Sequence, residues 1–110
     1  EIDHIKIPPV RKNCYHAYHL YPLLIDFKKL NLDKSSLMNY FLKNNFRLQV
    51  HYKPIHTYRL YKKLFKFKNN DFPASLKFFN DEISLPIFPG LTSNVQSKFI
   101  DLFDKFLKSK

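Results

Sequence analysis

Seven prolines and one glycine, Gly90, punctuate the 110 residues of this chain. Glycine takes positive φ without steric cost, whereas proline fixes φ near −65° and removes a backbone donor. A chain so composed has few positions for cheap left-handed backbone, so its loops are expected to be set by proline rather than by flexible glycine linkers. The same count excludes the Gly-rich phosphate loops, because neither GxGxxG nor a Walker loop can be written with one glycine. Any anion must then be held by side chains or helix ends.

The length suits one compact domain, and a hydrophobic content of 45% with 17% aromatic residues is enough for a core. Lys, Asp or Asn interrupts every apolar run well short of the ~18 to 20 residues that a membrane-spanning helix needs. Cys14, the single cysteine, has no internal disulfide partner. With no charged-then-apolar leader at the start, the expected setting is the reducing cytoplasm.

The net charge of +10 is uneven: from Lys34 to Lys68 there are nine Lys or Arg residues and no acid. Such a field attracts polyanions, and the run Tyr58-Arg59-Leu60-Tyr61-Lys62-Lys63 interleaves cations with rings as nucleic-acid surfaces do. Lysines opposite a buried Leu/Tyr face are more often a solvated helix surface, and no helix-turn-helix, zinc-finger or RNP pattern accompanies them. Nucleic acid is therefore not the expected partner, while a phosphate-bearing small ligand remains open.

Residues 1–13 contain Ile2, Ile5 and Ile7 followed by Pro8-Pro9, and read as an extended arm. Aromatic and branched side chains predict a strand over 17–25, at an edge or bulge because of Pro22. Asn31 or Asp33 can cap a helix whose apolar face is Leu37, Met38, Phe41 and Leu42, stopped by Asn44-Asn45. Strict alternation predicts a strand over 46–52, ended by Pro54. Thr57 can cap a short helix through Phe65, a helix with Pro73 in its first turn runs to about Asp81, and 83–88 is a third extended piece. Thr92 or Ser93 can cap a last helix that buries Val95, Phe99, Leu102, Phe103 and Phe106, and Ser93 with Gln96 matches a capping box. This order predicts an α+β fold: a small, largely antiparallel sheet of three or four strands covered by helices.

Cys14, His16 and His19 are close enough to suggest zinc, but a fourth ligand is missing, and on a strand the two imidazoles would face opposite sides. No signature of a cysteine enzyme surrounds Cys14, so a structural thiol is expected. The remaining constellation is Gln49-Val50-His51-Tyr52-Lys53-Pro54-Ile55-His56, which delivers polar rings and a lysine into a proline-set turn. Read alone, such a segment is more often surface or loop histidines, His51 and His56, around a core tyrosine, Tyr52.

The blocks Val50 to His56, Tyr61 in a basic turn, Asp71-Phe72-Pro73-Ala74, and Glu82-Ile83-Ser84-Leu85-Pro86-Ile87-Phe88-Pro89-Gly90-Leu91-Thr92 follow one another with the order and spacing of a known C-terminal domain. Together with Tyr18-His19-Leu20-Tyr21-Pro22-Leu23-Leu24-Ile25 they resemble the DegT/DnrJ/StrS sugar aminotransferases from about Ile7 onward. Gln-Val-His-Tyr followed by Pro and His is most similar to the branch that aminates C4 of a UDP-linked 4-keto-6-deoxy-N-acetylhexosamine on the pseudaminic acid pathway. One departure is Phe46-Arg47-Leu48 where the family has a Gly-containing turn, so that Asn44 or Asn45 must supply the left-handed residue.

The resemblance implies the small domain of a fold-type I pyridoxal-phosphate enzyme, a homodimer that moves an amino group from glutamate to the keto carbon of a nucleotide sugar by a ping-pong route. It further implies a lead-in from a large domain over 1–13 and the small domain over 14–110. The cofactor lysine, its acid and the phosphate contacts belong to that large domain, so no catalytic residue, cofactor ligand or metal ligand is expected in this stretch. The implied substrate wall is Gln49, backbone at Val50, His51 and Tyr52, with Lys53 and His56 at the turn and Lys53 suited to the diphosphate. The rival readings are a stand-alone basic module that binds nucleic acid or protein without catalysis, and a domain that self-associates through an exposed apolar face.

Overall fold

The computed structural model describes residues 3–109. Among these residues, seven regular elements form in the order β1 (Ile5–Lys6), β2 (Tyr21–Ile25), α1 (Lys34–Lys43), α2 (Arg59–Phe65), α3 (Pro73–Asp81), β3 (Glu82–Leu85) and α4 (Ser93–Lys108). Short 3₁₀ turns at Ile55–Thr57 and Asn69–Asp71 precede α2 and α3. The strands make one antiparallel sheet in the order β1-β2-β3. Gln49 adds a single bridge to Ser84 on the free side of β3. The architecture is the expected α+β sheet with helical cover.

The first long strand is shorter and placed differently than its sequence suggests. Only Tyr21–Ile25 is extended, and β2 is the central strand although it contains Pro22. Register explains the tolerance. Pro22 lies opposite Ser84, whose N–H and C=O both turn away to bond Gln49 (2.8 and 3.3 Å), so this pair exchanges no backbone hydrogen bonds. On the other side, pairing with β1 stops at Leu24. The donor that proline lacks would have had no partner on either flank.

α1 starts where Asp33 accepts a hydrogen bond from Ser36 N at 2.6 Å, so Asp33 and not Asn31 is the cap. Its end is a Schellman turn: Asn45 takes φ 66°, Asn45 N bonds Leu42 O, and Phe46 N bonds Phe41 O at 2.9 Å. The Phe41 and Phe46 rings meet edge to face across this turn. Asn45 thus supplies the left-handed residue that the missing glycine would have provided. It has company in His4, Tyr18, Asn31 and Lys66, so the chain makes left-handed turns without glycine more often than its composition implies. At Tyr18 the backbone N–H is held by His16 Nδ1 (2.8 Å) and the ring is stacked between His16 and Tyr21.

Leu23, Ile25 and Ile83 share one sheet face and pack with Leu37 and Phe41 of α1 and Leu102, Phe103 and Phe106 of α4. Phe41 is the hub, stacked on Phe99 at 4.6 Å and close to Phe103. Met38 is half-buried, but Leu42, expected on the same face, is 58% exposed. α4 is capped by Thr92, whose Oγ1 accepts from Val95 N. Thr57 does not cap α2: its hydroxyl donates back to Pro54 O, and Tyr58 occupies the cap position.

Candidate functional site

On the second face of β3, opposite Ile83, period two places Glu82 and Ser84 side by side. Both are buried, Glu82 completely. The segment 46–52 runs alongside, but the predicted strand does not form there. Its alternation lasts from half-buried Phe46 and buried Leu48 to half-buried Val50, and only Gln49 pairs with the sheet. Two residues on, the acceptor that a strand would offer is replaced by a side chain: His51 N donates to Glu82 Oε2 at 3.0 Å. The ladder gives way to a carboxylate, which frees the segment to turn.

The His51 ring stays with the same pair. Its Nδ1 lies 2.8 Å from Ser84 Oγ, and that hydroxyl donates to Glu82 Oε1 at 2.5 Å. Glu82 therefore accepts from a backbone amide and a hydroxyl, which meets the demand that a buried polar group be bonded. No buried side-chain polar atom among the described residues lacks a partner. The Tyr52 ring meets the His51 ring edge to face at 4.7 Å and is itself 71% exposed, so it is not the core tyrosine of the alternative reading. The His51–Tyr52 peptide is cis. Lys53 is exposed, with Nζ 5.2 Å from the Tyr58 ring centre.

The structure thus brings Gln49, Val50, His51 and Tyr52 to one strip beside β3 and sets Lys53 next to it. His56 is apart: it is buried, its Nε2–H donates to Asn69 O at 3.1 Å, and its ring packs on Phe72. That bond ties the Ile55–Thr57 turn to the loop before α3. Glu82 and Ser84 were not among the expected site residues. The spacing Glu82-x-Ser84 on a short strand was the available signal, since a buried carboxylate and hydroxyl on one face require partners. His16 and His19, expected to face opposite sides if they lay on a strand, both precede β2 and lie on none, and no group of three metal-ligating side chains forms among the described residues.

A pyridoxal-phosphate site needs a lysine free to reach the cofactor, an acid at its ring nitrogen and donors for its phosphate. The lysine whose pKa is clearly lowered is Lys34, chiefly by burial, with Glu82 and Asp81 acting in the opposite direction. Its Nζ is committed to Phe79 O at 2.6 Å and sits over the Phe79 ring. It clamps α1 to α3. The described residues do not fit the cofactor. A groove of about 720 Å³ between β2, β3 and α4 is mainly apolar, with Leu85, Val95 and Ile100 in its lining, and includes Tyr21, Gln96 and Asp104.

Comparison with known proteins gives this geometry its setting. The profile of the DegT/DnrJ/EryC1/StrS aminotransferase family matches residues 1–103. An uncharacterised protein of Methanocaldococcus jannaschii is 38% identical over 79% of this chain and 22% of its own length. The UDP-4-amino-4,6-dideoxy-N-acetyl-beta-L-altrosamine transaminase of Helicobacter pylori is 33% identical over 80% of this chain and 24% of its own. Helicobacter pylori PseC, a solved aminotransferase involved in pseudaminic acid biosynthesis, superposes with a TM-score of 0.74 at 32% identity, covering 84% of this chain and 24% of that one. The chain therefore spans about a quarter of the length of these relatives. Members of the family are aminotransferases that use pyridoxal phosphate. By the extent of the profile match, this chain belongs to the DegT/DnrJ/EryC1/StrS aminotransferase family.

Proposed function

We propose that the chain is the small domain of an aminotransferase that moves an amino group from glutamate to the C4 keto group of a UDP-linked 4-keto-6-deoxy sugar. Residues 14–110 form the domain, and 1–13 lead into it from a large domain, with Ile5–Lys6 adding the β1 edge on the way. The observation that carries this reading is the strip Gln49, Val50, His51 and Tyr52, held beside β3 by side-chain bonds and ending in an exposed ring. Such a strip suits a sugar, which is recognised by hydrogen bonds around a ring laid on aromatic surface. Lys53 beside it suits a diphosphate. His56 serves this wall from behind, by fixing the turn that follows.

Pyridoxal phosphate, the amino carrier when bound, is held by the large domain; this chain binds and orients the sugar. The full enzyme works as a cytoplasmic homodimer. The similarity to the altrosamine transaminase supports the choice of sugar. The test is amino transfer from glutamate to a UDP-4-keto-6-deoxy-N-acetylhexosamine by the full-length protein, with the 110-residue chain inert in the same assay. Turnover by the chain alone, or a full-length protein active only on simple keto acids, would refute the proposal.

A further inference from the structure

Glu82 and Ser84 do more than satisfy each other, because the direction of their hydrogen bonds determines the chemistry of His51. Glu82 Oε2 accepts the His51 amide. Glu82 Oε1 then accepts the Ser84 hydroxyl proton. With its one proton directed at Glu82, Ser84 Oγ can only accept from the imidazole, so His51 must carry its proton on Nδ1. A neutral ring protonated on Nδ1 has a bare lone pair on Nε2. His51 is only half-buried, and the absence of unsatisfied buried side-chain atoms among the described residues means that Nε2 reaches solvent.

We propose that Glu82 and Ser84 form a relay that locks His51 as its Nδ1–H tautomer, so that Nε2 is presented to the cleft as a hydrogen-bond acceptor for a hydroxyl of the substrate. Glu82 and Ser84 are positioning residues, and His51 is the contact. The meeting with a substrate hydroxyl rests on the reading of this strip as a sugar wall; the tautomer does not. An isolated imidazole in water prefers the opposite tautomer, so the relay leaves a signature that packing alone would not.

That signature is read in the long-range ¹H–¹⁵N spectrum of the ¹⁵N-labelled chain at a pH where the ring is neutral. His51 should show Nδ1 at the protonated, pyrrole-type position and Nε2 at the pyridine-type position. The wild-type spectrum decides by itself: His51 protonated on Nε2 overturns the proposal whether or not any variant folds. Glu82→Gln sharpens it. The amide oxygen keeps the bond from His51 N, the amide NH₂ turns to Ser84 Oγ, and the hydroxyl proton is redirected to Nδ1, so the two ¹⁵N resonances should exchange positions. A folded Glu82→Gln chain with an unchanged tautomer contradicts the relay. In the full-length protein the same variant should raise KM for the nucleotide sugar about tenfold, the loss of one hydrogen bond that leaves a partner unmet. An inverted tautomer with an unchanged KM overturns the contact with substrate while leaving the proposed domain role standing.

Discussion

The half of the molecule built from β2, β3, α1 and α4 and the stretch 53–72 contain similar residues but use them differently. In the first, Phe41, Leu37, Ile25 and Ile83 are almost wholly removed from water and rings interlock around Phe41. In the second, α2 buries no residue, and Leu60, Leu64 and Phe65 stand open beside Arg59, Lys62 and Lys63. What orders that stretch is a short series of ring contacts, Tyr61 to Phe65 to Phe67 to Phe72 to His56, and the bond from His56 to Asn69 O. The contrast teaches that apolar content is not a measure of core. Stability should be concentrated in one half and nearly absent from the apolar residues of the other.

Truncating the hub is the most direct way to break that contrast. Phe41→Ala should cost about 3–5 kcal/mol in urea unfolding, as for other buried aromatic rings, and a loss below 1 kcal/mol would show that the core lies elsewhere. Removing the helix cap with Asp33→Ala should cost about 1 kcal/mol, visible as a shift in urea midpoint with no change of slope. Phe65→Ala, the same size of deletion in the basic stretch, should stay within about 0.5 kcal/mol. Equal losses for Phe41→Ala and Phe65→Ala would erase the distinction between the two regions.

The smallest effect is a slope. Burial holds Lys34 below its usual 10.5 in the folded chain. Between that lowered value and 10.5 the unfolded chain binds the proton that the folded chain has released, so this group makes stability rise with pH across that window. Subtracting Lys34→Met should isolate the rise in urea midpoint; a flat or falling difference would contradict it.

Much of this fold was legible because local chemistry and tertiary packing agree. Asp33, Asn45, Pro73 and Thr92 mark helix ends by their own backbone and side-chain bonds, and the structure finds the helices there. The failures lie where a partner distant in sequence decides. Pro22 argued for an edge, but Ser84 had turned its backbone toward Gln49, which no pattern around Pro22 records. The alternation over 46–52 is genuine, yet the ladder ends at Gln49 because Glu82, 31 residues away, captures the His51 amide. Thr57 looked like a cap and instead bonds Pro54. The residue types and the family likeness pointed to the strip around His51. The bonds behind it, from His51 to Glu82 and Ser84, were not legible, since they exist only once β3 is laid against that strip.

The central claim, that this strip meets the sugar and not the amino donor, is tested most directly by separating the two half-reactions in the full-length protein carrying His51→Ala. Rapid mixing with glutamate alone, followed by cofactor absorbance, should give the wild-type rate. The subsequent reaction with the UDP-4-keto sugar should need about tenfold more sugar to reach half its maximal rate. Loss of the glutamate half-reaction, or a sugar half-reaction that is unchanged, would contradict the account.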